Sequence, residues 1–436
     1  MLSKIIIILA VNFILFFRCL KFSYVSDDIP TFQNPPAFKS KYHKYFLWLI
    51  GSYKKKPQFE HLASLIFHSL VGVFIYIAFG SNNVSFWTAL LFCCNPANNQ
   101  GSIWISGRGY VIPPLLLLIS LSVPFLAPIT LWAMPYFNLG FIAPLGLVGS
   151  KSAYLLSLMP FIWLFWLKKF KKDVKFKANF EQVDEDKKFH FGKIILAIKT
   201  IGFYFTLGLI PFRITFYHSY LQSLAGSGKA KAYSMKDKFF WIGLSIMVFW
   251  AVYSLHKWDM LSYGLLWFFI MIAPFSNLKR LHQEISERYL YTPLIGLMLA
   301  LSTLIVNYPI IVAVILTIYI TKFSCVMGMY RDDYWILEHA VIEDPKAWFA
   351  WHMRAMKRWE VQSYREALIN WAMAKLISPN EFKLLFNISV VLRLLRKDEE
   401  AKAHFALAIK NIIPGQEEEL KPLIKEWNEG KMRLLT

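Results

Sequence analysis

The chain has 436 residues, 56% of them hydrophobic and 17% aromatic, with 48 Lys and Arg against 28 Asp and Glu. A soluble globule of this size cannot conceal so much apolar surface, so the composition excludes one and points to a polytopic membrane protein. The net charge of +20 calls for an anionic partner; the aromatics lie inside apolar runs rather than between basic residues, which favours anionic lipid or a phosphate-bearing substrate over nucleic acid.

Runs of mostly apolar residues recur along the chain, as helices crossing a bilayer require. Eleven spans are predicted, at 5–22, 61–80, 84–96, 108–125, 128–148, 153–168, 192–212, 239–256, 260–276, 290–306 and 308–326. Several are short or contain Pro and Gly, which neighbouring helices in a bundle tolerate. Lys4 and the run Ile5 to Phe17 resemble a signal peptide, but no small-x-small site follows, so the segment is predicted to be the first span. Lys168, Lys169, Lys171, Lys172, Lys175 and Lys177 follow the sixth span and mark a cytoplasmic loop. Parity then places loops 23–60, 97–107, 213–238 and 277–289, with the C-terminal tail, on the outer face. Lys39, Lys41, Lys44, Lys54, Lys55 and Lys56 in the first outer loop run against that rule. An amphipathic segment lying on anionic headgroups accounts for them.

In chain order, the first candidates for chemistry are Asp27 and Asp28, in Ser26-Asp27-Asp28-Ile29-Pro30 just after the first span. Asp suits a turn or helix cap at such a place. A pair of carboxylates at the membrane edge also suits a general base with a supporting acid. The amide-rich stretch from Asn95-Pro96 to Gly107-Arg108 follows, and Arg108 suits either phosphate oxygens or a lipid headgroup. Lys151 interrupts an apolar stretch, as a functional cation or an interfacial anchor. Arg213 and His218 open the next outer loop, where sugar or phosphate contacts and a structural His both fit. Glu287, Arg288, Tyr289 and Tyr291 precede or open the tenth span, as an interfacial pair in an aromatic belt or as part of an anion site.

The four cysteines, Cys19, Cys93, Cys94 and Cys325, sit in or beside apolar runs and read as packing residues. His61 and His68 share a helix face at a seven-residue spacing, but nothing supplies further ligands, so no metal site is expected. No phosphate-cradling glycine motif of a nucleotide site is present.

Beyond Tyr330 the chain turns to soluble amphipathic helix. Pro345, Pro379 and Pro414 recur at 34 and 35 residues, and Ala367, Trp371 and Ala374 precede Ala401, Phe405 and Ala408 by 34. That is the tetratricopeptide period with its small-large-small packing positions. Units are predicted at about 345–378 and 379–413, with a closing helix at 416–432.

Taken in order, Ser26-Asp27-Asp28-Ile29-Pro30, Asn95-Pro96 through Gly107-Arg108, Lys151, Glu287-Arg288-Tyr289-Leu290-Tyr291 and the repeats resemble the transmembrane-and-tetratricopeptide O-mannosyltransferase family. That family belongs to the C-type glycosyltransferase superfamily, with the protein O-mannosyltransferases. The resemblance implies an all-α membrane bundle over 1–329 and a tetratricopeptide-like domain over 330–436. It implies a metal-independent enzyme of a bacterial inner membrane or endoplasmic reticulum, taking a monosaccharide from a polyprenyl- or dolichyl-phosphate donor to a protein or glycan hydroxyl. Its active site would face the periplasm or lumen. Asp27 matches the base and Asp28 a supporting acid, while Arg288 and Lys151 match positions near the phosphate, with Arg108 and Arg213 as further cations. Asn95, His218, Glu287, Tyr289 and Tyr291 are the expected sugar or acceptor contacts.

The chain departs from the family in having Lys151-Ser152 where Lys-Glu is common, and in carrying two clear repeat units rather than a long array. Two other functions fit parts of the pattern. A transporter or flippase for a lipid-linked or anionic solute would use the same charges at mid-membrane. An assembly factor would use the repeats alone.

Overall fold

In hydrocarbon a backbone must satisfy its own hydrogen bonds, and helices do so within one segment. The computed structural model describes residues 1–29, 56–136, 142–170, 190–221, 233–279, 281, 283–412, 417–430 and 434, and among them there is no strand. Two compact units emerge. The first comprises Met1–Ile214 and Tyr233–Asp333, and the second Thr215–Ala232 and Tyr334–Thr436.

The first unit contains α1 (Leu2–Phe16), α2 (Pro57–Ala78), α3 (Asn83–Cys94), α4 (Ile112–Ser122), α5 (Ala127–Ala133) and α6 (Met159–Phe170). It continues with α7 (Phe191–Leu209), α8 (Lys238–His256), α9 (Met260–Ile272), α10 (Tyr291–Ile305) and α11 (Pro309–Met327). Counting the 3₁₀ turns that extend some of them, seven segments among the described residues are long and apolar enough to cross a bilayer: Leu2–Lys21, Pro57–Ala78, Ile105–Ser122, Phe191–Leu209, Lys238–His256, Glu287–Ile305 and Pro309–Arg331. Four shorter apolar helices, Asn83–Cys94, Pro124–Ala133, Ala153–Trp166 and Met260–Phe275, fall on the remaining predicted ranges. The range 128–148 is not one helix. After α5 come 3₁₀ turns at Met134–Tyr136 and Ala143–Leu147, each containing a proline that has no amide hydrogen to continue a helical ladder.

Helix α10 is the most enclosed of the membrane-length segments. Its closest neighbour is α9, brought in by glycine. A Cβ on Gly264 would lie 2.6 Å from the Gly296 carbonyl oxygen and 2.8 Å from the Ala300 amide, and a Cβ on Gly296 would strike the Gly264 carbonyl in return. Backbones this close gain dispersion contacts where no hydrophobic drive separates helix from lipid. Helices α1, α8 and α11 present the opposite picture, exposing Ile6 and Ile14, Trp241 and Leu255, and Ile310 and Val314. Such continuous apolar faces are stable against lipid tails and not against water.

The second unit holds α12 (Asp333–Glu343, from Tyr334 onward), α13 (Trp348–Glu360), α14 (Tyr364–Ile377), α15 (Phe382–Leu394), α16 (Asp398–Lys410) and α17 (Glu417–Asn428). Helices α15 and α16 begin 34 residues after α13 and α14 respectively. Ala367, Trp371 and Ala374 are buried between the first pair, and Ala401 and Ala408 are buried at the matching positions of α16. Phe405 stacks on Trp427 of α17, with centroids 3.8 Å apart. Residues 215–221, expected with the membrane domain, pack instead in this unit: the Ser219 amide donates to Asp344 Oδ2 at 2.7 Å, and Tyr217 meets Phe349 edge-on.

Gly264→Val should force α9 and α10 apart and lower stability by about 1–3 kcal/mol, read as a lower thermal midpoint in detergent. Gly328→Ala, whose added methyl meets nothing within 4 Å, should melt like the native chain.

Candidate active site

The segment after α1 is a tethered turn rather than a loose end. A 3₁₀ turn, Phe17–Lys21, gives way to extended backbone at Phe22. The Ser23 amide then donates to the Arg331 carbonyl at 3.1 Å, and the Ser26 amide to Asp333 Oδ1 at 2.5 Å. Ser26 has φ +53°, a conformation non-glycine residues avoid unless their surroundings enforce it. The turn closes with the Asp28 amide on the Val25 carbonyl at 3.0 Å, an oxygen that also accepts from the Trp104 indole at 3.4 Å. This geometry separates the two adjacent carboxylates. Asp27 is exposed and Asp28 fully buried.

Asp28 Oδ1 accepts two hydrogen bonds from Ser106, from the amide at 2.8 Å and from Oγ at 2.5 Å. Its Oδ2 lies 3.4 Å from the Val25 amide. Burial pushes the carboxyl up to about 7, against the lowering pull of the Ser106 and Val25 donors and the nearby Arg108 charge. Tyr24, next to this group, is pushed up to about 12 by burial and then by the Glu60 and Asp28 charges, so it stays a phenol. Ser106 is presented by the 3₁₀ turn Ile105–Tyr110. Gly107 lets that turn lie against the backbone of Gln100, where any Cβ would strike the Gln100 carbonyl.

Arg108 is 1% exposed, and its donors are occupied. Nη1 pairs with Glu60 Oε2 at 3.0 Å, Nη2 donates to the Glu60 carbonyl at 2.5 Å, and Nε and Nη2 each reach Ser64 Oγ at 3.1 Å. Arg108 is therefore locked to α2, and the role expected of it, grasping a ligand phosphate or a lipid headgroup, does not fit a guanidinium so enclosed. Glu60 belongs to no sequence motif; its one signal is a lone acid just before an apolar span.

Arg288 is placed differently. It is partly exposed, and its guanidinium carbon lies 5.3 Å from the Trp104 ring centroid, 5.9 Å from Tyr110 and 5.1 Å from Tyr289. No Asp or Glu ion-pairs with it among the described residues. Aromatic rings, with hydrogen bonds to the Tyr110 and Tyr289 hydroxyls, hold the guanidinium without an anion to neutralise it. Trp104 thus touches both the cation and the turn that carries Asp27 and Asp28. Tyr289, behind Arg288, stacks on Phe275 at 4.3 Å and 6°.

Beneath Arg288 runs a buried polar network. Gln100 Oε1 accepts from Ser286 Oγ at 2.7 Å and from the Arg288 amide at 3.2 Å. Tyr204 Oη accepts from the Ser286 amide at 2.9 Å. Glu287, buried, accepts from Asn99 Nδ2 at 2.5 Å, and Tyr330 donates to Asn99 Oδ1 through a short hydrogen bond. Gln100 Nε2 is buried with no partner among the described residues, a condition that costs about 1–3 kcal/mol.

The other predicted residues are not gathered here. Lys151 is exposed, two residues beyond Gly149, whose Cβ would meet Trp258 and Tyr263 at the start of α9. Arg288 belongs toward the other end of that helix, where Tyr289, against its guanidinium, stacks on Phe275 just beyond α9. The breaks at Pro135 and Pro144 replace the expected continuous span before Lys151. Arg213 is exposed, and His218 is buried within the second unit. Asn95 caps a 3₁₀ turn, its Oδ1 accepting from the Ala97 amide at 2.9 Å and its Nδ2 donating to the Gly208 carbonyl at 2.8 Å. Tyr291 Oη is paired with His68 Nδ1 at 2.7 Å in the bundle interior. No group of three or more His, Cys, Asp or Glu placed to hold a metal ion occurs among the described residues.

No protein family, curated protein or solved structure matches this chain.

Arg108→Met strands the Glu60 carboxylate and should lower stability by about 3–5 kcal/mol, with Glu60→Gln/Arg108→Met recovering part of the loss in the same unfolding assay. Because the folded state holds the Asp28 proton more tightly than the unfolded chain, that contribution is complete below about pH 4 and is lost as pH rises through about 7. Asp28→Asn should therefore flatten the fall in thermal midpoint that the native protein shows between acidic and alkaline buffer.

Proposed function

We propose that the chain is a membrane glycosyltransferase that moves a monosaccharide from a polyprenyl- or dolichyl-phosphate donor to a hydroxyl of a protein or glycan. The observation that carries this is Arg288: a cation held by three aromatic rings, without an ionic partner among the described residues, touching the tryptophan that tethers an exposed carboxylate turn. A phosphate leaving group and a hydroxyl nucleophile need these two groups side by side.

In the proposed reaction, Asp27 takes the proton of the acceptor hydroxyl as its oxygen attacks the anomeric carbon. The bond from that carbon to the phosphate oxygen breaks, and its electron pair leaves on the phosphate, whose growing negative charge Arg288 stabilises. Asp28 is too enclosed to meet an acceptor. Its part is to hold the turn on Ser106 so that Asp27 stays exposed. Lys151 and Arg108 have no place in this scheme, because one lies beyond the far end of α9 and the other is bound to Glu60.

We read the seven membrane-length helices and the four shorter apolar ones together as an eleven-segment bundle of the transmembrane-and-tetratricopeptide O-mannosyltransferase type. The 34-residue recurrence of helix starts and of buried alanines supports a tetratricopeptide-like second unit, suited to engaging an acceptor. The reactive face would be periplasmic or lumenal.

Transfer should be measured with purified protein in liposomes carrying radiolabelled polyprenyl-phosphate sugars and an acceptor mixture. Asp27→Asn and Arg288→Ala should each reduce turnover about 100-fold or more. Native-like turnover in both variants would sink the assignment.

A further inference from the structure

We infer that Gln100 is a second donor of the anion seat at Arg288, its Nε2 reserved for a phosphate oxygen. This rests on Arg288 holding the donor phosphate, as proposed above.

The side-chain amide has only one chemically consistent orientation. Its oxygen faces the Arg288 backbone amide at 3.2 Å, and a backbone N–H can only donate. Turning the amide over would set two donors against each other, so Oε1 belongs where it stands. Ser286 Oγ then completes the acceptor's shell at 2.7 Å. That leaves Nε2 on the same planar amide, about 2.2 Å from Oε1 by ordinary bond geometry, with two hydrogens and no acceptor.

Buried donors in native proteins are almost always paired, so an orphan calls for a partner. No protein acceptor reaches Nε2 among the described residues. Glu287 accepts from Asn99, and Asn99 Oδ1 accepts from Tyr330. What Nε2 lacks is an oxygen, and the residue whose backbone amide donates to Gln100 Oε1 carries a cation that attracts an oxyanion. A phosphate oxygen drawn to the guanidinium supplies that acceptor. Gln100 fits the job better than a second cation, since it adds a directional bond without another buried charge to desolvate. The amide-rich stretch from Asn95 to Gln100 thereby gains a function in addition to its turns.

The test uses the full chain in phosphatidylcholine nanodiscs. Binding of polyprenyl monophosphate, neutral polyprenol and inorganic phosphate is measured for the native protein, Gln100→Glu, Gln100→Met and Arg288→Ala. Gln100→Glu keeps the acceptor for the Arg288 amide and replaces the free donor with an oxygen. It should weaken phosphate binding about tenfold or more at neutral pH, with polyprenol affinity unchanged. Its affinity relative to the native protein should recover as pH falls and the new carboxyl gains a proton to donate, which a packing defect would not produce. Loss confined to polyprenyl phosphate identifies a lipid headgroup, and equal loss for inorganic phosphate identifies a free anion; either supports the seat. Native-like affinity in Gln100→Glu and Gln100→Met, with Arg288→Ala weakened, overturns the role of Gln100 alone. Native-like affinity in Arg288→Ala overturns the Arg288 seat itself. Should Gln100→Glu fail to fold, Gln100→Met decides the first question.

Discussion

A carboxyl group removed from water needs replacement donors, and at Asp28 most of that replacement comes from Ser106, through both its amide and its hydroxyl. The consequence reaches well beyond one side chain. Ser106 belongs to the turn that leads into α4, whereas Asp28 follows α1, so the pair joins segments 78 residues apart. With Trp104 on the Val25 carbonyl and Asp333 on the Ser26 amide, it holds a backbone that would otherwise relax its positive φ. The exposed carboxylate of Asp27 depends on its buried neighbour.

Two arginines near this turn show how burial decides what a charge can do. Arg108 has a carboxylate, a carbonyl and a hydroxyl within reach and almost no exposure, so its charge serves to hold α2 against the 105–110 turn. Arg288 has aromatic faces in place of a carboxylate, which shelter the cation while leaving its charge uncompensated. A buried ion pair resists exchange for a ligand because separating it would leave two desolvated charges. An aromatic-lined cation carries no such penalty. The chemistry of the site follows from that difference, although both residues look alike in a sequence.

The position of the Asp pair was legible from local pattern alone, since an acidic dipeptide directly after an apolar run has to lie near a span end. The charged pair Glu287–Arg288 before the tenth span was legible for the same reason. Ser106, Gln100 and Tyr330 were not, because Ser, Gln and Tyr are ordinary at span ends and acquire meaning only through partners far along the chain. Trp104 was hidden among 16 tryptophans. Lys151 shows the converse. An isolated lysine in an apolar stretch suits a functional cation or an interfacial anchor alike, and the segment before it breaks at Pro135 and Pro144 and leads to Gly149, whose surroundings are Trp258 and Tyr263 rather than Arg288.

Hydropathy by itself determined that this chain builds apolar helices long enough for a bilayer, because helix formation in hydrocarbon depends on local composition and length. The 34-residue recurrence likewise anticipated the spacing of the helices in the second unit. Only the tertiary structure decided which of two adjacent aspartates is exposed, which arginine is already spent on a partner, and which glutamine keeps a donor in reserve. Those properties arise from desolvation and from hydrogen bonds between residues 44 to 307 positions apart, and no local window contains both partners.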